Sequence, residues 1–265
     1  MGWFWADSRE VGAGAGAGTA TATATANISL CPVMARDDGK DAQNGGGALN
    51  PFNHLPDISP TERDPAQKLA LPTDRTVSTI PKGSDPEKKW EYPSPQQMYN
   101  AMIRKGKIDP NTGEEIPEDA VEAMVAVHNF LNESCWNEIL RWEHDYTDVS
   151  KETPKLLRFI GKPGQLSPRA RMHYYLSYLA PSYFQRELPF DRHDWVVLRK
   201  DPHVHTADHP GYRQIRYVLD FYGGPDDPVT GMPTFSVDVR PGLDNLTNAR
   251  DRFRQFTKPI WDKYF

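Results

Sequence analysis

Apolar residues recur with helical spacing between residues 121 and 143, where the chain reads VEAMVAVHNFLNESCWNEILRWE. Side chains three or four positions apart share one face of a helix. That face carries Val121, Met124, Val125, Leu131, Cys135, Trp136 and Ile139. His128 falls on the same face, so the pattern places an imidazole where the core is expected. Two interpretations are open: a buried histidine bonded to a carbonyl group, or a ligand for a metal or cofactor.

Capping signals mark the starts of further helices. Ser94 and Gln97 form a predicted capping box, with Pro95 at the first helical position. The long helix is predicted to begin near Pro117, whose acidic neighbours match the positive end of a helix dipole. A third helix is predicted after Ser167, which precedes a proline. The C-terminal residues 246–265 predict a last helix with several aromatic side chains.

The spacing changes from helical to alternating in the last third of the chain. The segments DWVVLRK, QIRYVLDFY and PTFSVDVRP alternate in the manner of strands. Helices followed by strands predict an α+β fold, with a long central amphipathic helix, further helices and a small antiparallel sheet in the C-terminal half.

Residues 11–26, VGAGAGAGTATATATA, have side chains too small to offset the entropy of ordering. We therefore expect a disordered tail over residues 1–49. The rest, 50–265, is predicted to be a single domain. Within it, residues 50–89 are expected to be extended, 90–180 mainly helical, and 181–265 to form strands and the C-terminal helix.

Composition excludes several classes of protein. The chain has 265 residues, a formal net charge of -5 and no apolar run long enough to span a bilayer, so any membrane contact is expected to be peripheral. The negative charge argues against nucleic-acid binding. Residues 113–152 hold eleven acidic residues against two basic ones. This acidic stretch is either a solvated helix face or a docking surface for a basic partner.

Three smaller motifs could carry chemistry. Cys31 followed by Pro32 presents an accessible thiolate of the kind that binds haem iron, although a chance cysteine in the tail is an equal alternative. Three loop histidines, His203, His205 and His209, allow a metal site or a plain polar loop. The residues at 191–194, DRHD, predict either a salt-bridged turn before a strand, or a site for proton transfer or carboxylate binding.

Several segments, in order from residue 1 to about 255, together resemble the holocytochrome c synthase family, the mitochondrial cytochrome c haem lyases, of the fungal type. They are MGWFWAD, CPVM, LPTDRTVSTIPK, WEYPSPQQMYNAMIRKGK, VHNFLNE, GKPGQLSPRAR, LPFDRHDW, RYVLDFYGGPDD and FSVDVRPGLD. The histidine loop around 200–211 is variable in that pattern, which weakens its metal interpretation.

The resemblance implies that haem b is joined to apocytochrome c by thioether bonds between CXXCH cysteines and the haem vinyl groups. It assigns His128 as the axial iron ligand and as a catalytic residue together with Glu133, and Cys31 as a transient iron ligand. It further implies haem contacts at Trp90, Tyr92, Pro93, Met98, Asn132, Trp136, Cys31 and Pro32, and substrate contacts at Glu133, Arg192 and His193.

The implied partners are haem and the N-terminal helix and CXXCH segment of apocytochrome c. The implied location is the mitochondrial intermembrane space, peripheral on the inner membrane. Three alternatives stay open at this point: a lyase for cytochrome c1, a haem-binding chaperone that makes no bonds, and a purely structural scaffold. No nucleic acid is expected as a partner.

Overall fold

The computed structural model describes residues 58–85, 87–104, 117–162, 164–184, 186–205, 207–229 and 234–264. The predicted disordered tail, with Cys31 and Pro32, lies outside these residues. The elements are β1 (Val77–Pro81), β2 (Lys89–Glu91), α1 (Pro95–Arg104), α2 (Val121–Ser150), β3 (Lys155–Gly161), α3 (Pro168–Leu176), β4 (Asp191–Lys200), β5 (Tyr212–Gly223), β6 (Phe235–Pro241) and α4 (Leu246–Tyr264). The predicted α+β class is confirmed.

Four of the strands form an antiparallel sheet in the order β3-β4-β5-β6, and β1 pairs with β2 in a separate hairpin. The long helix α2 joins two apolar clusters. Its C-terminal half packs on the sheet, with Trp136 and Ile139 against Trp195 and Tyr217. Its N-terminal half packs on α1 in a second cluster. His128 lies between the two clusters, so the helix holds it in place from both ends.

The predicted caps are confirmed at two helices. The backbone N–H of Gln97 donates to Ser94 Oγ, and the Gln97 side chain accepts from the backbone N–H of Ser94, each at 3.2 Å. Ser167 Oγ accepts from the backbone of Ala170 at the start of α3. Helix α2 ends where Lys151 adopts a left-handed conformation with φ 57°.

The turn predicted over residues 191–194 is wrong, because this segment begins strand β4. It pairs on both sides: His193 lies opposite Gly161 of β3, and Asp191 lies opposite Phe221 of β5. The region 90–180, expected to be mainly helical, also contains the strand β3. The backbone groups of both segments are satisfied by partners far away in sequence, which a local pattern does not reveal.

One carbonyl group of β3 accepts two hydrogen bonds from the β1–β2 hairpin. The carbonyl oxygen of Leu156 accepts the backbone N–H of Gly83 at 2.8 Å and the indole N–H of Trp90 at 3.0 Å. A Cβ atom at Gly83 would lie 2.8 Å from the Cα atom of Leu157, closer than side chains tolerate. Glycine therefore permits this close approach of the two backbones.

Replacing Gly83 by alanine is expected to lower the free energy of unfolding by about 1–3 kcal/mol, because the hairpin must shift away from β3. Urea denaturation followed by tryptophan fluorescence measures this loss. Gly223→Ala is the matched control, since no heavy atom lies within 4 Å of its Cβ position. Equal stability of the two variants would contradict the close-approach argument.

Candidate functional site

The middle of α2 presents His128 on a half-open surface. The imidazole is half-buried, Leu131 is half-buried as well, and Phe130 beside them is 50% exposed. Residues that follow at helical spacing, such as Trp136, are buried in the core. The apolar face predicted from the sequence is therefore only partly buried around His128, and the histidine is accessible from solvent on that side.

Asn132, one turn further along α2, fixes the histidine. Its side-chain N–H donates to the carbonyl oxygen of His128 at 2.8 Å. The same nitrogen lies 3.3 Å from Nδ1 and 3.4 Å from Nε2 of the imidazole. The lone pairs of the two ring nitrogens point in different directions. The Asn132 nitrogen is almost equally far from both, so it lies beside the ring and is not in line with either lone pair. Asn132 thus limits the ring's orientation.

Tyr92, which follows β2, connects His128 to the neighbouring hairpin. The two rings meet edge to face, with centroids 6.4 Å apart and an interplanar angle of 86°. The phenol group donates to Glu133 Oε1 at 2.9 Å, and Ser78 Oγ, which donates to the same carboxylate, lies 3.2 Å from the phenol oxygen. Burial, with help from the adjacent Glu133 carboxylate, raises the pKa of Tyr92 above its usual value. The phenol therefore stays protonated and remains a donor at neutral pH.

The carboxylate of Glu133 accepts four hydrogen bonds. They come from Ser78 Oγ at 2.6 Å, the backbone N–H of Thr79 at 3.0 Å, the Thr79 hydroxyl and the Tyr92 hydroxyl. Partial burial acts to raise the pKa of Glu133, but these donors outweigh it and hold the pKa below its usual value. Glu133 is therefore ionised at neutral pH, and it ties α2 to β1 and to Tyr92.

The other residues predicted to contact haem differ in how deeply they are buried. Trp90 and Pro93 are half-buried, with the Trp90 ring edge-on to Phe159 at 5.2 Å. Met98 and Trp136 are almost fully buried in the two separate apolar clusters. The structure gives these last two a packing role, and their contact with haem stays a prediction.

Arg192 and His193 are both buried in β4 with acidic partners on their own strand. Arg192 donates to Asp194 at 3.0 Å, and His193 Nε2 lies 3.0 Å from Asp191 Oδ2. The His193 ring also meets Phe221 edge to face at 5.0 Å. Their predicted contact with the substrate stays a prediction.

Ser78 and Thr79 were not among the residues predicted for the site. A signal for them was present, because both lie in LPTDRTVSTIPK, one of the segments that carried the family resemblance. The loop histidines at 203, 205 and 209 were considered as a metal site. Among the described residues no group of three or more potential metal ligands occurs, and no helix is long and apolar enough to cross a membrane.

Comparison with known proteins places the chain in a family. Residues 35–256 match the model of the cytochrome c/c1 heme lyase family. The chain belongs to this family. It is 52% identical to holocytochrome-c synthase of Saccharomyces cerevisiae over 264 residues, covering 97% of this chain and 94% of the relative. No solved structure matches this heme lyase.

Two further relatives show how broadly the heme lyase family extends. Identity is 37% to the holocytochrome c-type synthase of Homo sapiens, covering 84% of this chain and 73% of the relative. It is 40% to a putative holocytochrome-c1 synthase of Schizosaccharomyces pombe, covering 68% and 73%. The predicted family is confirmed, and with it the enzyme class, a haem lyase.

Proposed function

We propose that the protein attaches haem b covalently to apocytochrome c, with His128 as the axial ligand of the haem iron. One observation carries this assignment: a partly exposed histidine lies on the apolar face of α2, between two buried apolar clusters. Asn132 bonds to its backbone carbonyl and lies beside its ring, and Tyr92 meets the ring edge to face. A neutral imidazole oriented by neighbouring groups is a common iron ligand, and the apolar rim suits a porphyrin.

The chemistry requires little from acids or bases. Each cysteine sulfur forms a bond to a vinyl carbon, the vinyl π bond breaks, and the thiol proton ends on the other vinyl carbon. No group leaves and no net oxidation occurs. A free thiol has a pKa of about 8.5, so a small thiolate fraction exists at neutral pH. Holding thiol and vinyl group together can lower the barrier by roughly 7–11 kcal/mol. The enzyme would act mainly by positioning its two substrates.

In this scheme Glu133 is a positioning residue. Its lowered pKa makes it a poor proton donor at neutral pH, and its four hydrogen bonds hold Tyr92 beside His128. Trp90 and Pro93 lie next to Tyr92 along the chain and would extend the surface that faces the haem. Met98 and Trp136 would support it from beneath, as the packing of the two clusters favours.

The acidic residues of α2 that remain exposed, Glu122, Asp145 and Asp148, support a lysine-rich substrate such as apocytochrome c, whose N-terminal helix and CXXCH segment would bind near α2. Arg192 and His193 would orient the substrate, and Cys31 with Pro32 would deliver haem. Cytochrome c is favoured over cytochrome c1, because the identity is 52% over 97% of this chain for the c synthase and 40% over 68% for the c1 synthase. The location would be the mitochondrial intermembrane space, peripheral on the inner membrane.

The function is tested by co-expressing the full chain with cytochrome c in a bacterial host that lacks its own maturation system. Covalent product is measured by haem staining after denaturing electrophoresis. We expect product with cytochrome c and much less with cytochrome c1. Haem bound to the purified protein without any covalent product would instead favour the chaperone alternative, and the absence of both haem and product would favour a scaffold.

Replacing Glu133 by glutamine is expected to lower the free energy of unfolding by about 1–3 kcal/mol, because an amide turns its NH₂ group toward hydroxyl and N–H donors. The stabilisation that Glu133 provides is expected to depend on pH. The pKa of Glu133 is depressed in the folded state, so its contribution is present above the usual value of 4.5 and is lost as the pH falls through the folded-state pKa. Urea unfolding of both forms at neutral and acidic pH measures this.

Glu138→Gln serves as the control, since Glu138 lies on the same helix and pairs with the exposed Arg141. It is expected to change stability by less than about 1 kcal/mol. The positioning role also predicts a changed absorption spectrum of haem bound to Glu133→Gln. An unchanged spectrum together with unchanged product yield would contradict that role.

A further inference from the structure

An exposed apolar stripe runs along α3 and the helical turns that follow it. Met172, Tyr175, Leu179 and Tyr183 follow at helical spacing, and the last three are 63%, 83% and 84% exposed. Two turns follow α3, over residues 177–179 and 181–183, and the first is closed by the N–H of Ala180, which donates to the carbonyl oxygen of Leu176 at 2.9 Å. The exposed apolar side chains thus lie within one short segment of twelve residues.

The opposite side of this segment faces the protein. Ala170 and Ser177 are buried, and the His173 ring packs edge-on against Phe184 at 5.5 Å. The segment therefore has one anchored face and one outward apolar face. Exposed apolar residues that cluster in this way mark interaction surfaces, whereas single ones do not.

Two arginines flank the stripe although the chain as a whole is negative. Lys162 and Arg169 are paired with Asp194 and Asp238, so Arg171 and Arg186 are the cations that the stripe presents. The guanidinium group of Arg186 lies 4.6 Å from the centre of the Tyr178 ring. One arginine thus stacks on a tyrosine ring of the outward surface. The two arginines favour an anionic partner over a lysine-rich one.

We propose that this surface, defined by Met172, Tyr175, Tyr178, Leu179, Tyr183, Arg171 and Arg186, binds an anionic phospholipid bilayer. Tyrosine rings favour the boundary between headgroups and acyl chains, since one end is apolar and the other polar. Leu179 would enter the acyl region, and the arginines would pair with lipid phosphates. The inference assigns a surface to membrane contact, and it is independent of the haem chemistry.

Vesicle flotation with the full chain, without haem, tests the inference. We expect the protein to float with vesicles of phosphatidylcholine mixed with phosphatidylglycerol, and much less with phosphatidylcholine alone. The double variant Leu179→Ser/Tyr183→Ser should bind at least about tenfold more weakly. Arg171→Gln and Arg186→Gln should each weaken binding about fivefold, and the loss should shrink at high salt.

Matched controls make the same chemical changes elsewhere. Val149→Ser removes an apolar side chain that is 87% exposed on α2, and Arg141→Gln removes an exposed arginine. Both should bind vesicles like the wild type, and circular dichroism should show all variants folded. Equal binding of the stripe variants and the wild type would overturn the inference, as would absence of binding to the anionic vesicles. If the wild type is a dimer and the stripe variants are monomers, with flotation unchanged, the surface serves self-association and the inference is overturned.

Discussion

Replacing His128 by alanine is expected to reduce covalent haem attachment to cytochrome c by more than about 100-fold, to the background of the co-expression host. Loss of groups that only orient a metal ligand already costs about 10- to 100-fold, and the ligand itself is removed here. The half-buried position of His128 means that the fold should survive the change. The measurement is haem-stained cytochrome c relative to total cytochrome c.

His144→Ala is the matched control, because His144 lies on the same helix and its side chain is 69% exposed. It should leave the product yield unchanged. The purified His128→Ala protein should also lack the absorption bands of histidine-ligated haem that the wild type shows. Full product yield from a folded His128→Ala protein would remove the basis for assigning the iron ligand, whatever the spectra show.

Much of the fold follows from local pattern. The spacing of apolar residues in α2, the capping box at Ser94 and Gln97, and the cap at Ser167 were readable because each depends on residues within one or two helical turns. The strands β5 and β6 were predicted for the same reason, since alternation is a local property. These elements are where intrinsic preference and tertiary packing agree.

The elements that were missed depend on distant partners. Strand β3, KLLRFIG, lacks a regular alternation of apolar and polar residues, and the polar start of β4 resembles a turn until its neighbours on both sides are known. Within β4, His193 Nε2 lies 3.0 Å from Asp191 and Arg192 donates to Asp194, and these contacts offset part of the cost of burying four polar residues in one strand. No periodicity in the sequence signals such pairing.

The candidate site shows the same difference between what the sequence indicates locally and what only the fold determines. Resemblance to the family pointed to Tyr92, His128 and Glu133 one by one, but not to the hydrogen bonds among them. The contact between Glu133 and Ser78 spans 55 residues, and the one between Glu133 and Tyr92 spans 41. Their meeting depends on how the β1–β2 hairpin packs on α2. Sequence reasoning thus named parts of the site, and the fold supplies the arrangement.

A buried ion pair at the far end of α2 gives the largest expected effect on stability. Arg199 of β4 donates to both carboxylate oxygens of Glu143, at 2.6 and 2.8 Å, and the side chains are only 4% and 1% exposed. The Tyr217 hydroxyl donates to the same carboxylate at 2.5 Å. Arg199 also reaches Asp251 of α4 at 3.2 Å. This group joins the central helix, the sheet and the C-terminal helix at one point.

Replacing Arg199 by methionine is expected to lower the free energy of unfolding by about 3–5 kcal/mol, because the Glu143 carboxylate is left buried without its cation. Urea denaturation measures the loss. The Arg141→Met control breaks an exposed pair with Glu138 and should cost less than about 1 kcal/mol.

The double variant Glu143→Leu/Arg199→Met separates charge from packing. If the loss arises from an unpaired buried charge, removing both ions should recover much of it, since apolar residues of similar size can replace a buried pair. If the double variant is instead as unstable as the sum of the single variants, the two residues act independently and the pair is not the link between α2 and β4. Recovery of stability would also show that α2 packs on its neighbours without a charged anchor, through the apolar clusters and the Glu133 hydrogen bonds.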